Sequence, residues 1–116
     1  MRSPLRHTRI YQIADIVALT SAHGDAAPLC LLEGAASGAT PVTTDVGDSA
    51  ATVKDVGFVT THEAANIAAT WDSVLNRRPE LRGHSLAARA RFGRERMIAE
   101  YAAVVRGLLG SNRVAA

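Results

Sequence analysis

Apolar residues in the first half of the chain are grouped into short runs separated by polar turns that contain glycine. Residues 16–20 form a continuous, largely apolar run of strand length, as expected for a parallel strand buried on both faces. Residues 40–44 and 57–60 predict two further short strands. The first half therefore predicts about three strands of one sheet.

Helical patterns precede and separate these strands. A short helix is predicted over residues 8–14, where apolar side chains recur at helical spacing. Pro28 suits the first turn of a second helix, which is predicted over residues 29–37 and ended by Gly38. Residues 46–53 predict a loop or a short helix.

The second half of the chain has helical periodicity throughout. One apolar face predicts a helix over residues 64–75 that stops before Arg78, and a middle helix is predicted over residues 79–91. The last helix carries an unbroken apolar stripe, which consists of Met97, Ile98, Tyr101, Val104, Val105, Leu108 and Leu109. We expect this stripe to face the core, and we expect residues 110–112 to end the helix.

Strands that alternate with helices favour an α/β fold with parallel strands. The expected architecture is an incomplete Rossmann-like parallel sheet of about three strands with flanking helices and a helical carboxyl-terminal half, in one domain over residues 1–116. Sheets usually have about five or six strands, and a parallel sheet must be covered on both faces. We therefore expect a piece of the domain to be missing in front of residue 1.

Composition agrees with one small globular domain. Of the 116 residues, 47% are hydrophobic and 21% are charged, which is far from the disordered class. No apolar run approaches the roughly 20 residues of a transmembrane helix, and the amino terminus lacks a secretory signal, so we expect a soluble protein. Cys30 is the only cysteine, which excludes a disulfide framework and favours the cytoplasm.

Candidate chemistry lies after the first predicted strand, where a loop leads directly into a helix. Ligands of open parallel sheets bind beyond the carboxyl ends of the strands, and a helix amino terminus suits a phosphate. Asp25 lies in this loop, and Glu33 lies a little over one turn inside the helix. A carboxylate can accept two hydrogen bonds, as a pair of ribose hydroxyls requires. Taken alone, the pair is better explained as a surface Asp and a helix-face Glu, because a polar loop before a helix is present in most α/β proteins.

The wider sequence carries a resemblance to a known family. The segments concerned are residues 11–21 (YQIADIVALTS), 25–38 (DAAPLCLLEGAASG) and 41–48 (PVTTDVGD), followed by PELR at 79–82 and ARARF at 88–92. Together they closely resemble the donor-binding domain of group 1 (family 4) glycosyltransferases, which are retaining enzymes of the two-domain GT-B fold. The resemblance covers almost the whole chain and implies the carboxyl-terminal part of that domain.

The resemblance also implies roles for individual residues. The family signature is a Glu, seven residues and a second Glu; Asp25 takes the first place, facing the transferred sugar as the catalytic position, and Glu33 takes the second, holding the ribose. Backbone groups around Ala26, Ala27, Pro28 and Leu29 are expected to lie along the hexose and the phosphates. The donor substrate implied is a nucleotide-diphosphate sugar, with no metal or other cofactor expected. The sequence departs from the family because an Asp replaces the first Glu and because Ala27 stands where an aromatic or larger residue is usual.

Four further residues are candidates for donor contact. His23 precedes the loop, and Gly47, Asp48 and Ser49 match a family loop that approaches the donor phosphates. The other histidines are scattered without metal-ligand spacing. A cluster of four arginines over residues 89–96 lacks interleaved aromatic residues other than Phe92, which favours a solvated helix face over a nucleic-acid site.

Family members also have an acceptor-binding domain and a basic Arg and Lys pair that neutralises the diphosphate, and neither has a counterpart here. We therefore expect no meaningful catalysis by this chain alone. The alternatives are a non-catalytic module that binds nucleotide sugars or completes itself with a separate acceptor-binding polypeptide, and a small α/β interaction domain. Because the family's last helix often packs across both domains, part of the apolar stripe is also a candidate for self-association.

Overall fold

The fold was described from a computed structural model, which covers residues 5–24 and 28–114. Three parallel strands form one sheet in the order β1 (Ile16–Leu19), β2 (Thr40–Thr44) and β3 (Phe58–Thr60). The register places Val17 opposite Pro41 and Val42 opposite Phe58. The predicted α/β class and three-stranded parallel sheet are therefore confirmed, with β1 ending one residue earlier and β3 beginning one residue later than predicted.

Six α-helices accompany the sheet in the described part of the chain. They are α1 (Leu5–Ile13), α2 (Leu29–Ala36), α3 (Ser49–Val53), α4 (Ala64–Asn76), α5 (Arg78–Ala87) and α6 (Arg94–Val114), and a 3-10 helix spans Arg89–Phe92. Gly38 follows α2 with a φ of +99°, and its N–H donates to the carbonyl of Ala35, which confirms the predicted stop. Within the described residues, no helix combines the length and the apolarity needed to cross a membrane.

The first helix begins at Leu5, three residues earlier than predicted, and the carboxyl-terminal ends predicted for two other helices are wrong. The middle helix does not run to residue 91, because the chain tightens after Ala87 into the 3-10 helix. The last helix does not end at residues 110–112 but continues to Val114. A glycine inside a helix costs only about 1 kcal/mol relative to alanine, and the hydroxyl of Ser111 donates to the carbonyl of Leu108 at 2.9 Å within the helix. Local turn propensity therefore does not stop α6.

The core lies on both faces of the sheet, because successive strand residues point to opposite sides. On one face α1, α2 and α3 cover a cluster that consists of Val17, Leu31, Ala39 and Val53, with Tyr11, Ala14, Leu19 and Cys30 packed against it. On the other face α4 and α5 cover Val42, Val74 and Leu81, with Ile16 and Phe58 packed against them. The sheet is thus the central layer of three, as a parallel sheet requires.

The contact between α2 and β1 is unusually close at Gly34. A Cβ atom added to Gly34 would lie 2.4 Å from Cγ1 of Val17 and 2.8 Å from its Cβ. Both atoms belong to a side chain that is itself buried in the core, so it has little freedom to move aside. Glycine at this position therefore sets the distance at which α2 packs on the sheet, and with it the position of Glu33.

We expect Gly34→Ala to destabilise the protein by about 1–3 kcal/mol, because the added methyl group forces α2 away from β1. The free energy of unfolding is measured by urea denaturation. Gly83→Ala is the matched control, since a Cβ at that glycine meets no atom within 4 Å and alanine favours the helix. A Gly34→Ala variant as stable as wild type would contradict the close packing.

The predicted core face of the last helix is wrong. Every side chain of its apolar stripe is 50–70% exposed, from Ile98 to Tyr101 at the two extremes. The helix packs chiefly against the 3-10 helix that precedes it. At about 1.5 Å per residue its 21 residues span about 31 Å, and the whole chain measures 60 × 33 × 31 Å. The described body of the protein therefore leaves the stripe of α6 open to solvent.

Candidate functional site

The candidate site lies at the carboxyl ends of the strands, where the loop after β1 is fixed to the end of β2. The hydroxyl of Thr44 donates a hydrogen bond of 2.7 Å to the carbonyl of Ser21, and the hydroxyl of Thr43 donates one of 3.0 Å to the carbonyl of Leu19. Both threonine side chains are buried. Hydrogen bonds of this kind satisfy buried hydroxyls and hold the start of the loop in place.

His62 contributes a third connection from the end of β3. Its Nε2 atom lies 2.6 Å from the same Ser21 carbonyl. A carbonyl oxygen can only accept, so Nε2 carries the proton and donates. The sequence analysis treated His62 only as a possible metal ligand and missed this role. Its position two residues after a predicted parallel strand was the one sign that it lies at the carboxyl edge of the sheet.

The loop that follows β2 approaches the loop that follows β1. A Cβ added to Gly24 would lie 3.8 Å from the backbone nitrogen of Gly47, which has a φ of +57°. The two glycines thus bring the loops into van der Waals range, as expected where two strand ends meet. Asp48 is exposed beside them, whereas Ser49 is buried at the start of α3. His23 is exposed in the first loop.

The amino terminus of α2 lies next along the chain. Its capping residue Pro28 is buried, has extended backbone angles (φ −71°, ψ 96°) and makes no capping hydrogen bond with its side chain. Its carbonyl accepts from the N–H of Leu31 at 3.1 Å, while Leu29 is 65% exposed. Asp25, Ala26 and Ala27 lie outside the described residues, so the catalytic position and two of the substrate-binding positions stay predictions.

Glu33 is exposed on α2, about 6 Å along the helix axis from Leu29. Tyr11 of α1 packs beside α2. The pKa of Tyr11 is raised above its ordinary value, first by burial and then by the negative charge of Glu33, with smaller contributions from Cys30 and from hydrogen bonding to Glu33. The contact between α1 and α2 thus brings Tyr11 within electrostatic range of Glu33, which sequence spacing does not predict.

The electrostatic character of this edge is acidic. The described residues of its loops, 20–24, 45–48 and 61–63, contain two Asp, one Glu and two His, and they contain no Lys or Arg. Among residues 5–24 and 28–114, no three His, Cys, Asp or Glu side chains come together in a group that could hold a metal ion. An anionic ligand at this edge would depend on backbone N–H groups and the α2 dipole for stabilisation.

The chain matches no protein-family model, and it matches no curated protein sequence at a significant level.

Proposed function

We propose that the chain binds a nucleotide-diphosphate sugar and is the donor-binding part of a retaining glycosyltransferase. The observation that carries this proposal is the anchoring of the start of the loop after β1, close to where α2 begins along the chain. Thr44 and His62 both donate a hydrogen bond to the carbonyl of Ser21, and α2 begins after Pro28, whose side chain makes no capping hydrogen bond. Glu33 lies about one turn further, exposed and beside Tyr11. The loop, the helix start and Glu33 follow one another in the order in which a nucleotide sugar presents its sugar, diphosphate and ribose.

Each part of the ligand has a group of matching chemistry. The unpaired N–H groups and partial positive charge of a helix start favour a diphosphate. The exposed carboxylate of Glu33 can accept two hydrogen bonds from ribose hydroxyls. Asp25, by its position in the family signature, faces the transferred sugar, with Ala26 and Ala27 beside it.

The transfer step needs more than these groups. A departing diphosphate requires cations or aimed dipoles, and the segments at the carboxyl edge hold no Lys or Arg. This lack favours the second form of the proposal, in which the chain by itself is a non-catalytic sugar-nucleotide module. In that form a separate acceptor-binding domain supplies the basic groups and the second wall of the cleft. A cytoplasmic location stays a prediction.

Titration calorimetry with uridine and guanosine diphosphate sugars tests the proposal. Wild type is expected to bind at least one of them, and Glu33→Gln is expected to weaken that binding about 10- to 100-fold, because hydrogen bonds to a charged group contribute about 1.5–3 kcal/mol. Glu95→Gln makes the same chemical change in the first turn of α6 and is expected to leave the affinity unchanged.

Two outcomes would contradict the proposal. Absence of binding to every sugar nucleotide would favour the small α/β interaction domain instead. Equal affinities of wild type and Glu33→Gln would remove Glu33 from the ribose site, even if binding were observed.

A further inference from the structure

No part of the described body of the protein packs over the apolar stripe of α6. All seven of its side chains are at least half exposed, and the helix packs chiefly at its beginning, against the 3-10 helix. Soluble proteins rarely leave large contiguous apolar patches open to water, and such patches mark interaction surfaces. We propose that the α6 stripe is a dimer interface and that its occupant is the same stripe of a second copy of this chain, packed antiparallel.

The spacing of the stripe is that of a helix that packs along another helix. Met97, Tyr101, Val104 and Leu108 recur at alternating intervals of four and three residues, which is the seam of a coiled coil. Ile98 and Val105 lie seven residues apart beside this seam and widen it. The apolar face is therefore wider than a seam of a and d positions alone, and it suits packing along an apolar helix of similar length.

The area of the stripe fits a dimer. Seven large side chains that are 50–70% exposed present about 100 Å² each, or roughly 700 Å² per copy. A stable interface typically buries about 800 Å² per partner, so the stripe and its flanks supply what a dimer needs. An interface between identical surfaces also requires no second patch elsewhere on the molecule.

The antiparallel orientation follows from the symmetry of the stripe and from the size of the body. A two-fold axis near residue 103 places Met97 beside Leu109 of the second copy and Ile98 beside its Leu108, so apolar side chains meet along the whole length. Packed helices lie about 8–10 Å apart, whereas the chain is 33 × 31 Å across. Parallel helices would bring the two bodies to the same end, and antiparallel helices separate them.

Analytical ultracentrifugation over a range of concentrations tests the proposal. Wild type is expected to dimerise, and Val104→Glu is expected to raise the dissociation constant at least about 30-fold, because it places a charge at the centre of the interface. Ala103→Glu adds the same charge at an exposed position about 100° further round the helix from Val104, on the side that faces away from the stripe, and is expected to dimerise like wild type. Circular dichroism of all three proteins verifies that α6 remains helical.

A monomeric wild type at about 100 μM would overturn the proposal, as would equal effects of Val104→Glu and Ala103→Glu. Cysteine cross-linking in a Cys30→Ala background tests the orientation. Val104→Cys is expected to form a disulfide between copies, whereas Leu108→Cys residues would lie about 15 Å apart along the axis, beyond the roughly 7 Å that a disulfide spans. Rapid cross-linking of Leu108→Cys would overturn the antiparallel arrangement. None of these measurements depends on sugar-nucleotide binding, so this proposal and the proposed function fail separately.

Discussion

Purified protein incubated with sugar nucleotides and an acceptor is expected to show no transfer above the uncatalysed rate. Glycosyl transfer from a nucleotide diphosphate develops negative charge on the leaving group, and each missing stabilising element commonly costs about 10²–10³ in rate. The three segments at the carboxyl edge of the sheet provide no Lys or Arg to carry that charge. Asp45, Asp48 and Glu63 add negative charge at the same edge. Release of the nucleoside diphosphate and formation of glycoside are measured together by mass spectrometry.

Binding provides the control for this result. If a sugar nucleotide binds in calorimetry but is not turned over, the chain has a donor site that lacks catalytic groups. If none binds, the chain has no donor site. If the protein alone catalyses turnover and Glu33→Gln lowers it, the prediction is contradicted. A cation outside the three loops at the carboxyl edge of the sheet would then be required. Turnover unaffected by Glu33→Gln would indicate a contaminating activity.

The sheet could be predicted from the sequence because its signal is local. The apolar run at 16–20 and the strand at 40–44 were placed to within one residue, since strands buried on both faces need continuous apolar or small residues. Gly38 was likewise identifiable as a helix stop, because the required φ of +99° is easy only for glycine. Predictions of this kind depend on neighbouring residues alone.

Features of the candidate site depended on distant residues and were missed. The bond from His62 to the Ser21 carbonyl spans 41 positions, and the proximity of Tyr11 to Glu33 requires α1 and α2 to lie side by side. Neither follows from spacing. For α6, periodicity identifies the apolar face of the helix, but it does not determine whether that face packs against the same chain or against another molecule.

Leu31→Ala is expected to lose about 2–5 kcal/mol of unfolding free energy, which is the usual range for truncating a buried leucine. Leu31 is fully buried between β1 and α3 in the cluster with Val17 and Val53. Domains of this size are stable by only about 5–15 kcal/mol, so the variant is expected to be partly unfolded near physiological temperature. Urea denaturation followed by circular dichroism measures the loss, at one fixed protein concentration because association would add to stability.

Leu29→Ala is the matched control, because it makes the same truncation two residues earlier in α2. The Leu29 side chain is 65% exposed, and surface substitutions usually change stability by no more than about 0.5 kcal/mol. A much larger loss of unfolding free energy in Leu31→Ala than in Leu29→Ala would show that burial of Leu31 holds α2 on the sheet. Equal losses would mean that the helix is held from elsewhere, and the position of Glu33 relative to the strand ends would then need another explanation. Since α2 carries Glu33, a destabilised Leu31→Ala protein is also expected to bind sugar nucleotide less tightly, in proportion to its unfolded fraction.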